Sequence, residues 1–300
     1  MRVNGTEKKT SDKTASSGYE KLLRKIVDLP TIPQVLMRIW MILESPDSSM
    51  SDLEKVVSLD QALTAKVIRL ANSPFYRTGY EASNVKNAIV NIGLEAVKNL
   101  VIAVSVTSVF KKQKRAVKFF PLKEFWCHCV AVGVAARRFA SNMDGLNHET
   151  CFCAGILHDI GKFAQYILYP EEFAEALGIA AREKIHIREA EDRIFPVDHS
   201  VFGELVADHW NFTPMLKKLI GDHHKRLDTL DDEFLIETAV VKLADTTARN
   251  LSFGFPGDFT QPPLDEQVAE LFGLTPETFD DFCKESLKDI QSAGEFIGLL

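Results

Sequence analysis

Ile156-Leu157-His158-Asp159-Ile160-Gly161-Lys162 sets a histidine–aspartate pair inside a run of aliphatic side chains. An aspartate buried there as a lone anion is costly, so the pair calls for a cation. Imidazole and carboxylate are common protein ligands of first-row transition metals, and a carboxylate can bridge two ions when the adjacent histidine holds one of them. Outward from the pair stand further candidates: His128 upstream, then His199, His223, His224 and Asp245 downstream. Glu124 lies four residues before His128, on the same face of a helix, and can add a ligand. His148, His186 and His209 stand apart and read as packed or surface residues.

The segments that carry these residues have helical periodicity. It runs over Leu122 to Ala140, and again over Glu149 to Leu168. Upstream, Pro30 and Pro33 bracket the start of an amphipathic helix reaching about Leu43. Ser51 and Glu54 have capping-box spacing for a short helix, and another follows over Asp60 to Ala71. From Asn84 to Phe110 two helices meet at Gly93 in a layout like a helix-turn-helix. The second contains Leu100-Val101-Ile102-Ala103-Val104, apolar on every side, so it belongs inside a bundle and cannot present polar groups to DNA. No alternating run with a hairpin turn occurs, so the expected fold is all-α. Its expected divisions are a disordered tail over 1–20, a helical lobe over 21–118, a metal-binding helical lobe over 119–252, and a linker with a final helical segment over 253–300.

Composition narrows the class. The 300 residues are 46% hydrophobic and 26% charged, as in an ordinary soluble protein. No stretch approaches the roughly 20 apolar residues of a membrane span, and the N-terminus lacks the apolar core of a secretory signal. Five cysteines, an odd number, fit a reducing compartment, and a cytoplasmic location is expected. Cys127/Cys129 and Cys151/Cys153 invite a zinc reading, but residues two apart on a helix point about 200° apart and do not share one ion. The net charge of -7 argues against DNA binding, and the basic run Lys111, Lys112, Lys114, Arg115, Lys118 reads as a solvated connector.

The stretch Ile156 to Lys162 closely resembles the signature of the HD superfamily of metal-dependent phosphohydrolases. Phe125-Trp126-Cys127-His128 is similar to that superfamily's upstream histidine helix, and Leu243-Ala244-Asp245 to the helix of its last aspartate. Between them, Asp198-His199-Ser200-Val201-Phe202-Gly203, Trp210-Asn211-Phe212 and His223-His224 resemble the HDOD branch, the HD-related output domains. Leu29-Pro30-Thr31-Ile32-Pro33, Asp60 to Lys66, Ala71-Asn72-Ser73 and Ala88 to Gly93 are similar to the helical segments of that branch's first lobe. The resemblance spans about Leu22 to Leu251 and implies a two-lobed helical HDOD architecture with a C-terminal HD-type domain.

Many HDOD domains have lost HD ligands, whereas this chain keeps a potential ligand at each matched position. His158, Asp159, His199, His223, His224 and Asp245 resemble the ligand set of the HD-GYP phosphodiesterases. That implies two divalent ions, iron or manganese, with zinc as an alternative. The Gly-Tyr-Pro loop of that family is missing, because Lys225-Arg226-Leu227-Asp228 follows His223-His224. Two readings stay open. In one, the chain is a metal-binding regulatory module read by a signalling protein partner. In the other, it is a phosphohydrolase of nucleotides or cyclic dinucleotides, in which Asp159 and the metal ions activate water and Lys162 steadies a phosphate oxygen.

Overall fold

The helical periodicity of the sequence is realised in the computed structural model, which describes residues 18–30, 38, 49–76, 79–111, 117 and 120–294. Among these residues every regular element is a helix and no strand forms. Helix α1 (residues 18–26) buries Leu22 and Ile26. Residues 18–20, expected in the tail, therefore belong to a helix. Residues 1–17 lie outside the described residues, as do nearly all of the helix expected up to Leu43 and Lys112, Lys114, Arg115 and Lys118 of the basic run.

Helix α2 (Met50–Ser58) has its capping box two residues earlier than the expected Ser51/Glu54 pair. Ser49 has extended backbone, its hydroxyl accepts from the Asp52 N–H at 3.3 Å, and its own N–H donates to Asp52 Oδ2 at 3.2 Å. Ser49 and Asp52 offer the same reciprocal spacing one half-turn upstream. Helix α3 (Gln61–Ala71) starts at Asp60, whose Oδ1 accepts from the amides of Ala62 and Leu63, and it buries Leu63, Val67 and Leu70. Helices α4 (Val85–Ile92) and α5 (Leu94–Lys111) meet at Gly93 with a bend of 119°. The φ of 92° at Gly93 explains why glycine stands there. Leu100 to Val104 are all buried, α5 packing on α3 and α4 on one side and on α7 on the other. No single helix among the described residues is long and apolar enough to cross a membrane.

In the second half, α6 (Leu122–Ala140) and α7 (His148–Leu157) pack backbone to backbone, because a Cβ at Gly155 would lie 2.7 Å from Gly133 Cα. The single helical run expected over Glu149 to Leu168 breaks in two. Helix α7 ends at Leu157, α8 (Ile160–Leu168) begins after Asp159, and Asp159 itself has φ -94° and ψ 16°. The break turns the chain at the histidine–aspartate pair. Helices α9 (Pro170–Glu183), α10 (Ile187–Ile194), α11 (His199–His209), α12 (Pro214–Asp222) and α13 (Leu235–Asn250) complete the surround. Then come α14 (Glu266–Phe272) and α15 (Pro276–Ser292), the latter lying against α6 and α13. Arg138 of α6 fixes it by bonds to Glu285 at 2.5 Å and Asp289 at 2.6 Å.

One buried apolar cluster runs from Leu22 and Leu53 through Val101 and Phe152 to Ile220 and Ala248. A polar tie crosses it. Glu149 accepts from Tyr76 Oη at 3.1 Å and from Arg137 Nε at 2.6 Å, and the Arg137 guanidinium lies over the Phe75 and Tyr76 rings. Helices α6 and α7 are thereby tied to Tyr76 of the first half.

Candidate metal centre

Four helices converge on the His158-Asp159 turn. Helix α6 brings His128 and α13 brings Asp245, while the first residue of α11 is His199 and the end of α12 leads into His223 and His224. His128, His158, Asp159 and His199 are wholly buried. Their ligand atoms fall into two groups, Asp159 with His199, His223 and His224, and His128 with His158 and Asp245, the atoms of each lying within 4.8 Å of one another. Asp159 faces both. Its Oδ1 lies 3.3 Å from His199 Nε2 and 3.7 Å from His223 Nε2, and its Oδ2 lies 3.3 Å from His158 Nε2. In the other group Asp245 Oδ1 lies 3.0 Å from His128 Nε2 and 3.7 Å from His158 Nε2.

The far side of three of the rings is held by backbone or carboxyl. His158 Nδ1 meets the Gly155 carbonyl at 2.7 Å and His223 Nδ1 the Ile220 carbonyl at 2.6 Å. A carbonyl only accepts, so both rings carry a proton on Nδ1 and turn Nε2 inward. His199 Nδ1 lies 2.6 Å from Glu191 Oε2, which also accepts the His199 amide at 2.9 Å. Burial holds the Glu191 carboxyl well above its ordinary value. His224 Nε2 and His199 Nε2 face each other at 2.9 Å.

These residues fit a metal. Buried His128 Nε2, His158 Nε2, His223 Nε2 and Asp159 Oδ1 make no hydrogen bond among the described residues, and all belong to the two groups. Buried polar atoms left so, converging from separate elements, are what a cation satisfies. Glu124 does not join them, for its side chain is exposed. Cys127, Cys129, Cys151 and Cys153 are free, buried and in neither group, and burial pushes the Cys151 thiol up to about 12.

Three charged residues around the centre escaped the sequence reading. Arg249 of α13 donates from Nε to both oxygens of Asp245, at 2.8 and 2.9 Å. Asp258, in the loop after α13, bonds Arg249 Nη1 and lies 3.9 Å from Lys162 Nζ. Glu191 is the third. Arg249 was within reach of a sequence reading, because it stands four residues after Asp245 on one helical face. Nothing in the breaker-rich loop around Asp258 marks it. Lys162 is fully buried and donates to Asp159 Oδ2 at 2.8 Å, so in this geometry its ammonium holds a candidate-ligand carboxylate.

The electrostatics follow. Burial raises Asp159 and Asp245, but His158 and Lys162 beside the first, and Arg249 and His128 beside the second, hold both well below the usual carboxylate range. Burial pushes His128, His199, His223 and His224 below their ordinary value. It also pushes His186, which caps α10 beside Asp258, down to about 4. At His158 burial is outweighed by the adjacent Asp159, and its pKa is raised.

The unfolded imidazoles titrate near 6.5, so between 6.5 and about 4 the unfolded chain binds more protons than the fold. Stability falls as pH falls through that window. Protonation of Asp159 and Asp245 at lower pH acts in the same direction, while His158, Glu191 and Asp192, whose values are raised in the fold, oppose it. The denaturant midpoint of chelator-treated protein is expected to be lower at pH 5 than at pH 7. An equal or higher midpoint at pH 5 would contradict neutral buried imidazoles.

Two cavities reach the centre. One of about 350 Å³ is lined by His186, Arg188, His223, His224, Lys242 and Asp245 among others. Another, of about 250 Å³, lies over His128 and Arg249 beneath Phe253, Phe255 and Phe259. The cations at the first are engaged. Arg188 donates to the His224 carbonyl at 3.2 Å, and Lys242 donates to the Lys225 carbonyl at 2.7 Å and pairs with Asp265 at 3.2 Å.

Comparison with known proteins places this architecture. An HDOD domain protein of unknown function from Geobacter sulfurreducens is similar in structure, with a TM-score of 0.77 and 25% identity over 93% of this chain and 98% of that one. A protein of Shewanella amazonensis SB2B proposed to be a phosphohydrolase shares the fold, with a TM-score of 0.71 and 24% identity over 92% of this chain and 97% of its own. An uncharacterized protein of Treponema pallidum (strain Nichols) is 26% identical over 227 residues, 76% of this chain, which spans 43% of that relative's length. The HDOD domain family profile matches residues 29–226, two thirds of the sequence, and includes His128, His158, Asp159, His199, His223 and His224. The chain is therefore a member of the HDOD domain family.

Proposed function

We propose that this chain is a metal-binding HDOD regulatory module of the cytoplasm. His128, His158 and Asp245 hold one divalent ion and Asp159, His199, His223 and His224 a second. Mixed nitrogen and oxygen donors suit iron or manganese, with zinc as the alternative. The observation that carries the regulatory reading is that the cations around the centre are committed internally: Lys162 to Asp159, Arg249 to Asp245 and Asp258, Lys242 to Asp265. Efficient phosphoryl chemistry needs charged groups that hold the phosphorus in line, and these have other work. The ions then clamp five elements together, and a signalling protein partner reads the clamped surface.

The cavity beside His223, His224 and Asp245 favours the second reading, a phosphohydrolase acting on a nucleotide or cyclic dinucleotide. A divalent ion in such a site supplies Lewis acidity and a more acidic water. Asp159 and Asp245 would hold the charge, Lys162 and Arg249 would orient them, and His224 at the cavity wall would contact the ligand. The deciding assay sets metal-loaded protein against cyclic dinucleotides, linear dinucleotides and nucleotides, with Asp159→Ala as control. The regulatory reading expects no turnover near the ordinary enzyme range of about 10⁴ M⁻¹s⁻¹ in kcat/KM. Turnover at that level, lost in the variant, establishes the enzyme instead.

A further inference from the structure

After α13 the chain reverses at Ser252, crosses α6 and delivers Asp258 to the centre. The crossing is close: Phe255 N–H donates to the Glu124 carbonyl at 2.9 Å, and Gly254, at φ 75°, leaves no room for a Cβ against the His128 backbone. Asp258 lies beyond the matched 29–226 region and outside both ligand groups. Its side chain is 1% exposed. Oδ1 accepts the Ile187 amide at 2.6 Å, and Oδ2 bonds Arg249 Nη1 and lies 3.4 Å from His186 Nε2 and 3.9 Å from Lys162 Nζ.

The other partners of those two cations decide what Asp258 does. Lys162 grips Asp159, the carboxylate that faces both ligand groups, and Arg249 grips both oxygens of Asp245. An unbroken chain of alternating charge thus runs Asp159, Lys162, Asp258, Arg249, Asp245. With Asp258 ionised, three carboxylates face two cations, and the surplus negative charge is available to an added cation. The low pKa of Asp258 agrees, since Arg249 and Lys162 outweigh its burial. Without its charge the five sum to neutrality. Lys162 and Arg249 would then lean wholly on Asp159 and Asp245, competing with a metal ion for the same oxygens.

We propose that Asp258 is a positioning residue that sets the metal affinity of the centre by drawing Lys162 and Arg249 away from the ligand carboxylates. The inference rests on the metal-binding reading above. Asn at this position keeps an oxygen for the Ile187 amide and removes only the charge. Calorimetric titration with Mn²⁺ is expected to show about ten- to a hundredfold weaker binding by Asp258→Asn than by wild type, with Asp258→Glu restoring part of the loss. A purely structural residue would lower the Tm of the metal-free protein and leave the Mn²⁺ dissociation constant, measured below that Tm, unchanged. That result overturns the proposal while leaving the metal reading in place, whereas wild-type protein that binds no Mn²⁺ overturns both. A wild-type measurement decides the matter even if the variant does not fold. If a seated Asp258 strengthens metal binding, bound metal must strengthen the seating. Mn²⁺ is therefore expected to slow hydrogen exchange of the Ile187 amide and of residues 253–258, and unchanged exchange at saturating Mn²⁺ overturns the proposal.

Discussion

Asp159→Ala is expected to leave the purified protein without bound metal and to destabilise it by about 3–5 kcal/mol, the usual cost of removing one partner of a buried ion pair. Two losses coincide. Asp159 has an oxygen toward each ligand group, so neither group keeps its shared carboxylate. Lys162, wholly buried, loses its 2.8 Å partner and, among the described residues, retains only the Asp258 carboxylate at 3.9 Å. Asp159→Asn separates the losses. The amide oxygen still accepts from Lys162 but bears no charge, so this variant should fold better than the alanine form and still bind metal poorly. Metal analysis with iron kept reduced, and denaturant unfolding of the same preparations, read the two effects independently. Equal metal content in wild type and Asp159→Ala would remove Asp159 from the centre.

How far the site was legible depended on the kind of signal each residue leaves. Helices announced themselves by periodicity, and the burial of Leu100 to Val104 follows from a run that is apolar all round. The histidine–aspartate pair was visible because a carboxylate among aliphatic residues is an energetic anomaly. What it did not disclose was the break in the helix there, since Ile156 to Ile160 continues the apolar pattern through Asp159. Glu191 and Asp258 were invisible for another reason. One sits in the polar helix sequence Ile187–Ile194 and the other in a proline- and glycine-rich loop, where acidic residues are ordinary surface features. Only packing buries them. His186 looked like a lone histidine and proves to be a helix cap at the edge of the centre. The sequence neighbours of these three residues gave no hint of the charges they meet.

Gly161, inside the same heptapeptide, carries the second large expectation: Gly161→Ala should cost at least about 3 kcal/mol, the upper end of ordinary overpacking, and should disrupt metal binding. Alanine is otherwise the better residue in a helix, by about 1 kcal/mol. Here a Cβ would overlap the His199 carbonyl oxygen and lie 2.7 Å from Gly203 N and 2.8 Å from His199 C. All three atoms are backbone of α11, which cannot rotate aside as a side chain can. Gly203 faces the same contact from the other helix, its own Cβ position lying 3.2 Å from Gly161 N. Helices α8 and α11 therefore touch backbone to backbone, and this contact holds Asp159, just before α8, against His199 at the start of α11. Forcing the helices apart separates two of the ligands proposed for one ion. Gly178, in the middle of α9 with nothing within 4 Å of its Cβ position, supplies the control. Gly178→Ala is expected to leave metal binding unchanged and to stabilise by up to about 1 kcal/mol, because only helix propensity changes there. Unfolding midpoints of the two variants should move in opposite directions. If Gly161→Ala also gains stability, α8 and α11 do not meet as described and the ligand groups built on that crossing lose their support.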